Sequence, residues 1–155
     1  MLLIILTIAA HFVIAKDIYV RPAGEDKSGC GLETNQCQTL GYAYKNQRTP
    51  GESNTLIAGA PYPWEFKEPM AIEVSQETLT ISSNYYSYIR VDASQMKDTF
   101  LVANTGSVIT LQQLNFSVQV PDNWTTSNAS LLVIKSGARV TFLKTDLNFN
   151  KENLT

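Results

Sequence analysis

The two cysteines are the most informative reactive side chains of this chain. Cys30 and Cys37 are separated by six residues in the segment C-GLETNQ-C. An even number of cysteines at close spacing predicts an intramolecular disulfide in an exported protein, with a free thiol pair or intermolecular bridges as the alternatives. The disulfide would hold in place the glycine-rich loop at residues 28–31.

The histidine content excludes several kinds of catalytic centre. His11 is the single histidine, and it falls in an apolar N-terminal segment that we expect to be removed. A mature chain without histidine has no Ser-His-Asp triad, no Cys-His dyad and no His-ligated zinc site. The sequence predicts no metal site and no cofactor.

Acidic and aromatic residues could still act on sugars. Hydrolysis of glycosides needs two carboxyl groups at a set separation. The aspartates lack an adjacent pair: Asp92, Asp98, Asp122 and Asp146. Arg90 shares a strand face with Asp92, which we interpret as an ordinary solvated ion pair. A sugar-stacking surface is possible for five aromatic residues, although we expect them to pack over loops: Trp64, Tyr85, Tyr86, Tyr88 and Trp124.

Four N-x-S/T sequons are candidates for N-glycosylation. They begin at Asn115, Asn123, Asn128 and Asn153. Asn123 and Asn128 lie in a polar loop and are the best candidates, whereas Asn115 lies in an apolar run where a strand would hinder a glycan.

Residues 1–15, MLLIILTIAAHFVIA, carry no Asp, Glu, Lys or Arg. This segment is too short to span a bilayer and is typical of a secretory signal peptide cleaved after Ala15; a buried strand or an uncleaved anchor is the alternative. We therefore predict a secreted or cell-surface protein with no membrane span apart from this segment. A net charge of -2 argues against a nucleic-acid partner.

One helix and many short strands must position these residues. Thr39 is a candidate N-cap, and Leu40, Ala43 and Tyr44 fall on one helical face. After residue 50 we find no helical period, only short apolar runs separated by polar residues and glycine. The sequence therefore predicts an all-β fold for that region.

A repeat is present within the strand-rich region. FLVANTGSVITL at residues 100–111 aligns with LLVIKSGARVTF at residues 131–142, an offset of 31. A further match aligns residues 114–116 with 147–149 after two inserted residues, and residues 79–81 form a weaker third copy. A period near 30 without a helix predicts a stacked β-helix, with Gly106 and Gly137 at its corners. The alternative is a β-sandwich with two similar hairpins.

The chain also resembles the N-terminal part of secreted right-handed parallel β-helix proteins of the pectin-lyase-like superfamily. The resemblance lies in Ile18-Tyr19-Val20 with Gly24 and Asp26, in Cys30-Gly31 with Cys37-Gln38-Thr39-Leu40 and Ala43, in residues 56–62 and 89–93, and in the Gly106 and Gly137 repeats. It implies a right-handed parallel β-helix with a short capping helix. The superfamily includes polysaccharide lyases, polygalacturonases and adhesin-like proteins, and the fold does not choose among them.

These observations predict three regions. Residues 1–15 form the signal peptide, residues 16–54 the first strand, disulfide loop and capping helix, and residues 55–155 the β-helix coils, which we expect to be incomplete at the C-terminus. With no catalytic constellation in the sequence, we predict a non-enzymatic adhesive or structural role, with carbohydrate or a cell-surface protein as partner. The alternative is the N-terminal fragment of a polysaccharide lyase or hydrolase. The sequence does not indicate the oligomeric state.

Overall fold

The computed structural model describes residues 15–59, 65–68, 71–92, 99–120 and 130–151. The predicted signal peptide, apart from Ala15, lies outside these ranges. The elements are β1 (Lys16–Val20), α1 (Leu40–Gln47), β2 (Ser53–Ala58), β3 (Glu65–Glu68), β4 (Ile72–Val74), β5 (Thr78–Asp92), β6 (Thr99–Ala103), β7 (Val108–Val120), β8 (Ser130–Ile134), β9 (Arg139–Leu143) and β10 (Asp146–Lys151). The prediction of an all-β fold with one short helix is confirmed.

The strands form two parallel sheets. The larger sheet has the order β1-β2-β5-β7-β10, with β3 also paired to β5 and β9 also paired to β7. The smaller sheet has the order β4-β6-β8. Every pair of named strands in the described ranges is parallel, so the antiparallel hairpins of the sandwich alternative do not form there.

The repeat seen in the sequence sets the register of these sheets. Val102 pairs with Val133, and Ile109 pairs with Val140, at the predicted offset of 31. Leu79 pairs with Ile109, as the weaker third copy predicts. Gly106 and Gly137 have φ angles of 78° and 79°. These left-handed corners are the conformations that glycine adopts without strain.

One part of the predicted alignment is wrong. Phe116 pairs with Leu147, so the offset remains 31 and the two inserted residues are not needed. A shift of two residues preserves which side chains face inward, so the apolar pattern could not reveal the error. Thr145 takes the position that the sequence match gave to Leu147, and its hydroxyl donates to the Leu111 carbonyl at 3.0 Å.

The interior consists of apolar columns that run across the sheets. In one of them each side chain is paired in register with the next: Ile18, Leu56, Ile81, Leu111 and Phe142. The first four are buried, because parallel in-register strands place equivalent side chains on the same side of the sheet. Strand pairing and burial of the core therefore depend on the same alignment.

Helix α1 begins as the sequence predicts. The Thr39 hydroxyl accepts a hydrogen bond from the Tyr42 N–H at 3.2 Å, so Thr39 is the N-cap. The apolar face of the helix packs on the core, with Leu40 and Ala43 fully buried. The helix thereby lies against β1, β2 and β4.

Strand β3 lacks the apolar run from which the sequence predicts strands. Its sequence, EFKE, has one apolar residue, and Phe66 is buried while Glu65 and Lys67 are exposed. The fourth residue, Glu68, is buried, and the oxygens of its carboxyl group accept backbone N–H groups at the start of α1. Such a partner is invisible to a periodicity argument.

Candidate binding surface

The outward side of β3, β5, β7 and β10 carries polar side chains in register. One row across the four strands contains Glu65, Tyr88, Asn115 and Asp146. A second row, two residues further along, contains Lys67, Arg90 and Ser117. We call these seven residues the polar face. Adjacent strands are about 4.8 Å apart, so each row presents hydrogen-bonding groups at regular intervals.

The polar face exists because each strand alternates. Phe66, Ile89 and Phe116 point into the core and are fully buried. The residues on either side of each point outward and are exposed or half-buried. The buried alternate residues therefore fix which side of each strand carries the polar face.

Arg90 forms an ion pair within this face, across strands. Its guanidinium lies 3.6 Å from the Glu65 carboxylate, and both side chains are partly exposed. The sequence had suggested Asp92 as its partner, but the Asp92 side chain lies outside the described part. A partly exposed pair of this kind contributes between about 0 and 1 kcal/mol to stability.

The tyrosines singled out from the sequence occupy two environments. Tyr88 is half-buried on the polar face, whereas Tyr85 and Tyr86 are exposed where the β5–β7 register shifts. The Ser83 hydroxyl accepts the N–H groups of Tyr85 at 3.0 Å and Ser87 at 3.2 Å and so supports this turn. Tyr85 and Tyr86 thus lie on β5 just before the part of that strand that belongs to the polar face, while Trp64 and Trp124 lie outside the described residues.

Only one of the four sequons lies in the described part of the chain. Asn115 lies on β7 within the polar face, which confirms that this sequon is in a strand. Asn123, Asn128 and Asn153 lie outside the described residues. Among the other predicted acids, Asp146 is exposed on β10, and Asp98 and Asp122 lie outside the described residues.

The two cysteines form the predicted disulfide. Cys30 and Cys37 are joined by an S–S bond of 1.98 Å. Asp26 lies near both sulfur atoms, but the sulfurs are bonded to each other and are not thiolate ligands. The Asp26 carboxylate instead accepts the backbone N–H groups of Gln38 at 2.7 Å and Thr39 at 3.0 Å, and the Thr39 hydroxyl at 2.7 Å. This cluster anchors the start of α1.

A second polar cluster joins the end of α1 to the turn before β5. The Tyr44 hydroxyl donates to Glu77 at 3.2 Å, and Arg48 donates to the same carboxylate at 3.3 Å. The Arg48 guanidinium also lies 4.7 Å from the centre of the Tyr44 ring. Burial, reinforced by the negative charge of Glu77, raises the pKa of Tyr44 to about 12. These groups satisfy one another, so we assign the cluster a structural role.

Sequence reasoning missed Glu65 and Lys67 and did not connect Asp146 with Asn115. Alternation of apolar and polar residues along a strand could have identified the outward-facing residues, but β3 has only one apolar residue with which to show it. The rows become visible only from the register between strands.

No helix within the described ranges is long and apolar enough to cross a membrane. A disulfide is compatible with an extracellular location. Comparisons with protein-family models, curated proteins and solved structures found no match to this chain.

Proposed function

We propose that the chain is a right-handed parallel β-helix module that acts outside the cell as a non-enzymatic adhesive protein, and that its polar face binds an extended carbohydrate polymer. Parallel strands that pair at a spacing of about 30 residues support the β-helix. The disulfide and the predicted signal peptide support secretion.

The observation that carries the binding proposal is the register of the polar face. Its rows contain carboxylate, amide, hydroxyl and guanidinium groups on four adjacent strands, and Tyr88 adds an aromatic ring to the first row. A polymer with many hydroxyl groups can bond to such a row repeatedly, while an aromatic ring packs against the apolar side of a sugar. The second row contains two cations, Lys67 and Arg90, which could pair with the carboxylates of acidic sugars, whereas the acids Glu65 and Asp146 lie in the first row.

Binding of polygalacturonate to the full chain tests this proposal, with neutral dextran as a comparison. We expect Arg90→Ala and Tyr88→Ala each to weaken polygalacturonate binding about 5- to 30-fold, the equivalent of about 1–2 kcal/mol. Arg21→Ala removes an exposed arginine on the turn after β1 and is the matched control. Isothermal titration calorimetry measures the affinity, and a thermal melt of each variant verifies folding.

Two results would overturn the proposal. Release of reducing or unsaturated sugar from the polymer would favour the lyase or hydrolase alternative. Equal losses for Arg90→Ala and Arg21→Ala would show that any binding is non-specific attraction to positive charge.

A further inference from the structure

Strand β5 contains an insertion at the point where its partner β7 bends. Between Ser82 and Ser87, which pair with Gln112 and Leu114, β5 has four residues where β7 has one. On the other side of β7, the β9–β10 segment keeps its offset of 31 across the same point, so the insertion is confined to β5 among these strands. Insertions of this kind in stacked strands map to one face, which is often the binding face.

The insertion exposes two adjacent aromatic residues. Tyr85 is 59% exposed and Tyr86 is 45% exposed, and we call these two residues the tyrosine pair. Neither side chain is part of the buried core, although both lie within a long strand whose flanking residues are paired. The tyrosine pair therefore adds aromatic surface that is open to solvent.

Two buried serines hold the base of this turn. The hydroxyl groups of Ser83 and Ser87 lie 2.8 Å apart, and the Ser87 hydroxyl donates to the Ala58 carbonyl on β2 at 3.0 Å. Together with the two backbone N–H groups that the Ser83 hydroxyl accepts, these bonds tie both ends of the insertion to the sheet. The position of the tyrosine pair is therefore set by the fold.

The backbone at Tyr86 does not explain why a tyrosine occupies this position. Its φ is 55°, a left-handed value that bulky residues rarely adopt and that asparagine or glycine adopts at lower cost. Burial returns little of this cost, because nearly half of the residue is exposed. A side chain kept in a costly conformation without a matching gain in packing points to a role outside folding.

The chemistry of the tyrosine pair fits a sugar ring. An aromatic face can pack against the C–H groups of a sugar, while the phenolic hydroxyl bonds to the sugar hydroxyl groups. Residues 82–88 include no charged side chain, so stacking and hydrogen bonding, rather than charge, would select a ligand here. Tyr86 precedes Tyr88, in the first row of the polar face, by at most about 7 Å of chain. One extended polymer can therefore contact both.

We propose that the tyrosine pair is a stacking subsite for one sugar ring of the polymer whose charged groups contact the polar face. The inference rests on the proposed function and adds a site whose contribution does not depend on charge. Affinity for an acidic polymer then has two parts. Salt screens the ion pairing with Lys67 and Arg90, but it leaves the stacking on the tyrosine pair intact.

Titration calorimetry of the full chain with polygalacturonate, at low and at high salt, separates these two parts. We expect Tyr85→Ala to weaken binding about three- to tenfold at both salt concentrations, whereas the loss in Arg90→Ala should shrink at high salt. Tyr85→Phe keeps the ring and should retain most of the affinity. Leu32→Ala removes an exposed apolar side chain from the disulfide loop and is the matched control, with no change expected.

Tyr86→Asn distinguishes a binding role from a structural one. Asparagine tolerates the left-handed backbone, so the melting temperature should stay the same or rise while the affinity falls about three- to tenfold. A fall in both the melting temperature and the affinity would show that Tyr86 acts through the fold, and it would overturn the binding role of this residue.

The remaining outcomes separate this inference from the proposed function. Unchanged affinity in Tyr85→Ala together with a loss in Arg90→Ala would overturn the stacking subsite and leave the polar face as the binding surface. The reverse result would keep the subsite and overturn the polar face. Equal losses in Tyr85→Ala and Tyr85→Phe would overturn stacking, because the hydroxyl and not the ring would then hold the ligand. No binding by the folded, unaltered chain would overturn both proposals.

Discussion

Glu68 is a buried acid that holds α1 against the sheet. Its side chain is 1% exposed and accepts the N–H groups of Leu40 at 2.8 Å and Gly41 at 3.2 Å. The first N–H groups of a helix have no partner within it, so the carboxyl group of Glu68 on β3 completes the helix from 28 residues away. Thr39 alone could be recognised as a cap from the sequence, because its contact is local.

The pKa of Glu68 makes stability depend on pH. Burial raises this pKa from 4.5 to about 8; the N–H groups of Leu40 and Gly41 oppose the rise and the charge of Asp26 adds to it. Between these values the folded chain keeps a proton that the unfolded chain has lost. We therefore expect the free energy of unfolding to decrease as the pH rises from 4.5 to about 8 and this contribution to level off above that. Urea unfolding at several pH values measures it.

Glu68→Gln is the decisive variant, since it keeps an acceptor for α1 but cannot titrate. In Glu68→Gln the free energy of unfolding should change little over this pH range. In the control Glu73→Gln, at an exposed position on β4, it should decrease with pH as in the unaltered chain. An unchanged pH profile in Glu68→Gln would contradict the assignment.

Bends within long strands are the main feature at the scale of elements. Residues with left-handed φ angles occupy equivalent positions on neighbouring strands. They are Tyr86 on β5 at 55°, Gln113 on β7 at 56° and Lys144 after β9 at 50°. The sequence contains two short apolar runs, one on each side of Gln113, at residues 108–111 and 114–116. The structure joins them in β7, which bends at a left-handed residue. No glycine marks this bend, so the sequence gives no sign of it.

The backbone at Gln113 predicts opposite effects for two substitutions. Asparagine tolerates left-handed φ, so Gln113→Asn should leave the free energy of unfolding unchanged or raise it slightly. Valine does not, so Gln113→Val should lower it by about 1–2 kcal/mol. Chemical denaturation measures both. Gln112→Val, one residue earlier, is the control and should be close to neutral; an equal loss at both positions would refute the backbone explanation.

At the scale of the whole molecule, stability comes from apolar columns that cross successive strands. Phe116 pairs with Ile89 on one side and Leu147 on the other, and its ring centre lies 5.9 Å from that of Phe100 in the smaller sheet. The contact links the two sheets through their interior. Side chains in the middle of a column therefore contribute more to the free energy of unfolding than the side chain at its exposed end.

Two phenylalanines test this gradient. Phe116→Ala should lower the free energy of unfolding by about 3–5 kcal/mol, because it opens a cavity in a closed core. Phe142→Ala should cost about 1–2 kcal/mol, because that ring is already 40% exposed. Equilibrium urea unfolding of the two variants gives the comparison. Equal costs would mean that the end of the column is as well packed as its middle.

The sequence by itself determined the features that depend on local chemistry and on period. These are the disulfide, the N-cap at Thr39, the all-β character after residue 50, and the offset of 31 with glycine corners. Tertiary structure alone decided which outward side chains form the polar face, where β7 bends, and that Glu68 is buried. Apolar periodicity specifies which side of a strand faces inward, but it cannot distinguish registers two residues apart or identify a polar partner on a distant element.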